Sequence, residues 1–213
     1  MDWLKEVNSS QETFRGVVPV PKHITFNKEQ EEVKTNLIDF LESDKEYFCL
    51  TGKGGVGKTT VIAGALKGYK NIMGVTISHK AKEILCNSIK DCFTFASACG
   101  MKVIKNELGE KEFVLDKYSE RQHIKKADII VIDECSMIST KAIKIVNDLK
   151  KSSAKVIYMG DFRQLPPIDE GGRDSQTFRI PNRANLTVRI RQGDNNPITE
   201  LADVIGKEIE NET

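Results

Sequence analysis

The segment Leu50-Thr51-Gly52-Lys53-Gly54-Gly55-Val56-Gly57-Lys58-Thr59-Thr60 constrains this chain more than any other. Gly52, four residues, then Gly57-Lys58-Thr59 satisfies the spacing of a phosphate loop, and Tyr47-Phe48-Cys49-Leu50 supplies the apolar strand that such a loop must leave. Gly52, Gly54, Gly55 and Gly57 leave room for the backbone N–H groups, that of Val56 included, to turn inward around a triphosphate. Lys58 adds a point charge, and the Thr59 hydroxyl is a ligand for Mg²⁺. A helix over residues 58–68, opening with Thr59 and Thr60, aims the positive end of its dipole at the same place. A glycine-rich turn without a ligand is the plain alternative. The ordered succession of strand, loop, Lys-Thr and helix argues instead for a nucleotide cradle.

The rest of the composition suits one α/β domain with a small insertion: 213 residues, 39% hydrophobic and 30% charged. A net charge of +1 confines any polyanion-binding surface to a local patch. The five cysteines are an odd number without a C-x-x-C pair and read as reduced core thiols. Cys86, Cys92 and Cys99 with His79 match no common zinc spacing. No apolar run reaches the length of a membrane span and the N-terminus is not a signal peptide, so a cytoplasmic protein without a membrane partner is expected.

Residues 1–25 form an N-terminal extension whose prolines favour an extended path over the domain. A helix capped by Thr25 or Asn27 places Gln30 in its first turn, where an amide can offer a donor and an acceptor to an adenine edge or simply face solvent. Ile72–Ile77 reads as a buried strand that brings Thr76, Ser78, His79 and Lys80 to a sheet edge before a helix running to about residue 89. These groups suit contacts to a nucleic-acid backbone, or a solvated helix start. Residues 101–118 read as two short strands and a turn, a β-hairpin insertion that is either a wedge or a surface ornament. Ala127–Ile132 is an apolar strand that delivers Asp133 and Glu134 to the sheet edge. There Asp133 would hold Mg²⁺ and Glu134 would orient and deprotonate a water; helix capping is the other role open to the pair. Lys155–Gly160 is another buried strand, which places Gln164 beside these carboxylates. Leu186–Gln192 is expected to be a last strand carrying Arg191, followed by a closing amphipathic helix over residues 196–210.

Taken together, Gly52–Thr60, Asp133-Glu134-Cys135-Ser136 and Gly160-Asp161-Phe162-Arg163-Gln164-Leu165-Pro166-Pro167 resemble the first RecA-like motor domain of a superfamily 1 DNA helicase, most similar to the Dda and RecD branch. The resemblance covers about residues 25 to 210. It implies a P-loop NTPase fold over residues 26–213, with a central mostly parallel sheet flanked by helices and the hairpin insertion. The cofactors it implies are ATP and Mg²⁺. By the same resemblance Gln30 recognises adenine, Lys58 and Thr59 hold phosphate and metal, Asp133 holds metal, Glu134 is the general base, and Gln164 and Arg191 sense the γ-phosphate. Thr76, Ser78, His79, Lys80 and Thr94 would grip single-stranded DNA, and the hairpin would be the pin that parts a duplex fork. Such a motor moves 5′ to 3′ in a bacterial or phage-type cytoplasm. It works with a second RecA-like domain in cis or in trans and requires no homo-oligomer; the motifs of that second domain would lie beyond Thr213.

Lys53-Gly54-Gly55-Val56-Gly57-Lys58-Thr59-Thr60 departs from the helicase form of the loop and matches that of ParA and MinD partition ATPases, the main alternative. Those proteins place the loop at the extreme N-terminus and lack the Asp-Glu pair and the Gly-Asp-x-x-Gln-Leu-Pro-Pro element. A non-catalytic P-loop module that only docks nucleic acid is the reading from another class.

Overall fold

The central strands of the computed structural model are apolar on both faces, and that fixes the architecture. The structure describes residues 15–19, 25–105, 107, 109–116 and 118–190. In β6 (Ile129–Ile132) and β7 (Lys155–Gly160), Val131, Ile157 and Met159 enter one core while Ile130, Ile132, Val156 and Tyr158 enter another. β1 (Tyr47–Gly52) divides in the same way, with Phe48 and Leu50 on one side and Cys49 on the other. A strand buried on both faces needs helices above and below it.

They are present on both sides. α1 (Lys28–Glu42), α2 (Lys58–Ala65) and α3 (His79–Leu85) contribute Leu37, Ile62 and Leu85 to the first core. α4 (Phe95–Cys99) and α5 (Thr140–Leu149) contribute Ala98, Cys99, Val146 and Leu149 to the second. With β2 (Ile72–Thr76), β3 (Cys92–Thr94) and β8 (Arg183–Leu186), the sheet has six strands in the order β3-β2-β6-β7-β1-β8. Its neighbours all pair parallel. Leaving β1, the chain passes over β7 and β6 to reach β2, while β8 returns to the other side of β1. In open α/β sheets ligands bind at the C-terminal ends of the strands beside such a reversal.

β4 (Met101–Lys105) and β5 (Lys111–Leu115) form a separate antiparallel pair with Val103 opposite Phe113, which is the expected hairpin. Residues 15–19 lie extended against the turn after α3: Val17 bridges Ile89, and the Arg15 guanidinium meets the Asp91 carboxylate at 3.1 Å. Among the described residues no helix is long and apolar enough to cross a membrane. All five cysteines are free thiols, and only Cys86 is not buried.

Three expectations need correction. The helix after the phosphate loop ends at Ala65, and Gly68 already has φ +93°; the helix after β2 stops at Leu85. The last strand is Arg183–Leu186, not Leu186–Gln192. Beyond Leu186 the backbone leaves the ladder because its N–H groups find other acceptors: Thr187 and Val188 donate to the Glu29 carboxylate and Ile190 to the Gly55 carbonyl. Arg191 and the helix expected over 196–210 lie outside the described residues.

Candidate nucleotide and nucleic-acid site

The phosphate loop is shaped by backbone conformation and by α1. Gly57 has φ +86°, and a Cβ there would lie 2.6 Å from the Gln30 amide nitrogen, so a side chain at this position is strained and must displace Gln30. Gln30 is buried rather than solvated. Its Oε1 accepts from the Asn27 N–H at 3.2 Å while Asn27 Oδ1 accepts from its own N–H at 2.8 Å, a complete capping box. Its Nε2 donates to the Val56 carbonyl at 3.0 Å. The expectation saw the amide's bivalence but not that the fold itself uses most of it.

Lys58 Nζ donates to the carbonyls of Gly52 at 2.6 Å and Lys53 at 3.1 Å, so it is coiled back into its own loop. Burial pushes the Lys58 ammonium below its usual range, opposed by the charges of Asp161 and Asp133. The strands β1, β6 and β7 thus bring one cation and two carboxylates into electrostatic reach of each other. Thr59 and Thr60 stand half-buried on the first turn of α2.

Asp133 leaves β6 with its N–H on the Val75 carbonyl, and its Oδ1 accepts the Glu134 N–H at 2.8 Å. Glu134 is in the left-handed region, φ 57° and ψ 39°, one of two described non-glycine residues with positive φ. A glutamate costs about 1 kcal/mol or more there, and such strain concentrates at functional positions. Burial raises the Asp133 carboxyl, eased by the Glu134 N–H and by Lys58; burial and then the Asp133 charge raise that of Glu134. The Asp133 carboxylate and the Thr59 hydroxyl, both half-buried, are hard oxygen donors of the kind that suits Mg²⁺. Among the described residues no three His, Cys, Asp or Glu side chains gather into a metal site, so the cysteine and His79 grouping has no structural support.

Asp161 was missed in the sequence. It is buried at the end of β7, where its Oδ1 accepts the Arg163 N–H at 3.0 Å and its carbonyl accepts the Gln164 N–H at 3.0 Å. Its signal was available: an acid directly after a buried strand, beside one already identified. The Gln164 side chain itself is exposed on the loop that Asp161 shapes.

At the β2 end the expected grip divides. Thr76 is fully buried and its hydroxyl donates to the Ser78 carbonyl at 2.9 Å, so it shapes the turn and does not reach the surface. Ser78 Oγ caps α3 by accepting the Ala81 N–H at 3.1 Å, and Thr94 Oγ1 caps α4 by accepting that of Ser97 at 3.3 Å. Ser78, His79 and Lys80 are exposed. They and Thr94 lie at the ends of the paired strands β2 and β3, on one sheet edge.

Known proteins resemble this chain in sequence and in fold. The chain is 28% identical over 150 residues to the ATP-dependent DNA helicase Pif1 of Psychrobacter, covering 65% of this chain and 22% of that protein. It is 28% identical over 137 residues to the ATP-dependent DNA helicase dda of Enterobacteria phage T4, covering 62% and 30%. The fold matches that of Pif1 helicase from Bacteroides, solved in complex with ADP-AlF3 and ssDNA, with a TM-score of 0.58 at 20% identity over 86% of this chain and 47% of that one. The chain therefore spans less than half the length of each. A family model described as an AAA domain matches residues 25–210, and the chain belongs to that family, as a RecA-like motor domain of the superfamily 1 Dda and RecD type.

Proposed function

We propose that this domain binds ATP with Mg²⁺ and single-stranded DNA and is the first motor domain of an ATP-dependent DNA helicase that moves 5′ to 3′. The observation that carries the reading is the convergence of Lys58, Asp133 and Asp161 at one sheet edge, beside a strained Glu134. Lys58, released from the Gly52 and Lys53 carbonyls, neutralises phosphate charge. Thr59 and Asp133 would hold Mg²⁺, which supplies charge neutralisation across the phosphates when bound. Glu134 accepts the proton of the water that attacks the γ-phosphorus, and its raised affinity for protons suits that role. Gln30 offers its remaining amide hydrogen to adenine, while Gln164 and Arg191 serve the γ-phosphate. Ser78, His79, Lys80 and Thr94 contact the phosphates of the bound strand, and the hairpin over residues 101–118, with Phe113 exposed, parts the duplex. A second RecA-like domain, in cis or in trans, completes the site, and charge stabilisation is incomplete without it. The relatives' names support the helicase reading, and the nucleotide and strand bound to the Bacteroides protein support a nucleotide and single-stranded DNA as its ligands.

Glu134→Gln tests it. The variant should keep nucleotide affinity within about twofold while DNA-stimulated phosphate release falls by roughly a hundredfold or more, the scale of a lost general base. Turnover at the parent rate would remove Glu134 as the base. Nucleotide binding without any hydrolysis by the parent protein, second domain included, would favour a docking module.

A further inference from the structure

A two-stranded hairpin on its own is marginally stable in water, and this one has little core beneath it: Val103 and Phe113 are 50% and 56% exposed. What fixes it is a knot at its foot. The Asp116 N–H donates to the Gly100 carbonyl at 3.4 Å and closes the open end of the ladder. The Asp116 carbonyl accepts from the Ser119 N–H at 3.1 Å and from Gln122 Nε2 at 2.8 Å. Its carboxylate takes the Tyr118 N–H at 3.2 Å on one oxygen and Lys102 at 3.5 Å on the other. Gln122 is 3% exposed, and its Oε1 has no hydrogen-bond partner among the described residues, so its burial is sustained by what the other end of the amide holds. Its Cγ also packs on Gly100, where φ is +69° and a Cβ would come within 2.9 Å of it. Gln122 thus touches both feet of the hairpin, one through a hydrogen bond and one through packing.

The residues after it carry the connection inward. The His123 ring stacks on Phe93 with centroids 4.4 Å apart and planes 20° from parallel, and Phe93 immediately precedes Thr94 on β3. Ile124 is fully buried in the second core. The hairpin foot, the sheet edge bearing Thr94 and the core are therefore linked within three successive residues.

We propose that Gln122 is a positioning residue that mounts the hairpin at a fixed place relative to the strand-binding edge, so that a duplex is parted at a set distance from the gripped strand. This rests on the helicase reading and adds to it the part that couples grip to separation. In the full-length protein, Gln122→Met keeps the side chain's length and removes the amide. Amide hydrogen exchange should rise about fivefold for residues 101–115 and stay unchanged in β1 and β7. Fork unwinding should fall about fivefold or more, with single-strand affinity and single-strand-stimulated ATP turnover within twofold of the parent. Gly100→Ala, which attacks the same mount from the other foot, should give the same split. Unchanged hairpin exchange and unwinding in both variants overturns the proposal, as does equal loss of turnover and unwinding, which would mark a general defect of the fold. If the parent unwinds no fork at all, the helicase reading fails, and unchanged hairpin exchange then rejects the mount independently.

Discussion

Replacing Glu29 with Ala should destabilise the domain through a segment more than 150 residues away. Glu29 Oε1 accepts the Thr187 N–H at 2.9 Å and the Thr187 hydroxyl at 2.7 Å, and Oε2 accepts the Val188 N–H at 3.1 Å. Hydrogen bonds to a charged acceptor are worth about 1.5–3 kcal/mol each when shielded. These are open to water, so we take about 0.5 kcal/mol apiece and about 1.5 kcal/mol together. With a urea m-value of about 2.5 kcal/mol/M, the midpoint should fall by roughly 0.6 M at unchanged slope. Burial by itself raises the Glu29 carboxyl, but the bonds from Thr187 and Val188 outweigh it, and the group titrates below its ordinary value. A depressed acid stabilises the fold fully above its unfolded pKa of about 4.3 and loses that contribution as pH falls through the folded value. The gap between parent and variant should therefore be flat from pH 5 to 8 and close on acidification below about pH 4. Denaturation in urea at several pH values measures both. A midpoint within about 0.1 M of the parent at pH 7, roughly a sixth of the expected effect, would show that these bonds merely replace water at no net gain.

Three further predictions concern the phosphate loop and the carboxylates beside it. Gly57→Ala meets a positive φ and the Gln30 amide at once, and should lower stability by about 1–3 kcal/mol and nucleotide affinity by about tenfold or more; titration with a fluorescent nucleotide checks it, and parent-like affinity refutes it. Because burial and Asp133 raise the Glu134 carboxyl, the acid limb of turnover should lie above the ordinary glutamate value, and a limb at or below 4.5 would contradict the assignment. Raised acids hold protons more tightly in the folded state, so the contribution of Asp133 and Glu134 to stability without nucleotide should decline as pH rises through the ordinary carboxylate range.

The parts of the fold legible in the sequence are those that short-range pattern controls. The apolar runs at 129–132 and 155–160 declared strands buried on both faces, and Gly52 to Thr60 declared the turn between β1 and α2. Asn27 was readable as a cap because its partner Gln30 is three residues away. Thr76 misled because a threonine at a strand end looks the same whether its hydroxyl meets a ligand or, as here, the carbonyl two residues on. The strand expected through Gln192 failed for a different reason. Thr187-Val188-Arg189-Ile190 has strand propensity, but its N–H groups are claimed by Glu29 and Gly55, and no local pattern announces an acceptor that distant. Gln122 was equally silent: a glutamine in a polar stretch, buried only because the hairpin's two feet meet over it.

The first turn of α1 shows why such contacts matter more than their individual strength. Gln30 holds the phosphate loop at Val56, Ile190 holds the same loop at Gly55 with an N–H to carbonyl distance of 3.1 Å, and Glu29 holds the segment that carries Ile190. The three links close on themselves: α1 to loop, loop to exit segment, exit segment to α1. A loop held from one side can adapt to a ligand by moving alone, whereas a loop in a closed ring moves only by stretching a contact elsewhere in it. A nucleotide that draws Gln30 toward its base or straightens the loop around its phosphates thus acts at the same time on the path of residues 187–190. The phosphate loop, recognisable at once as a cradle, is in the folded protein one side of that ring. Its neighbours in the ring, Glu29 and Ile190, carry no motif of their own.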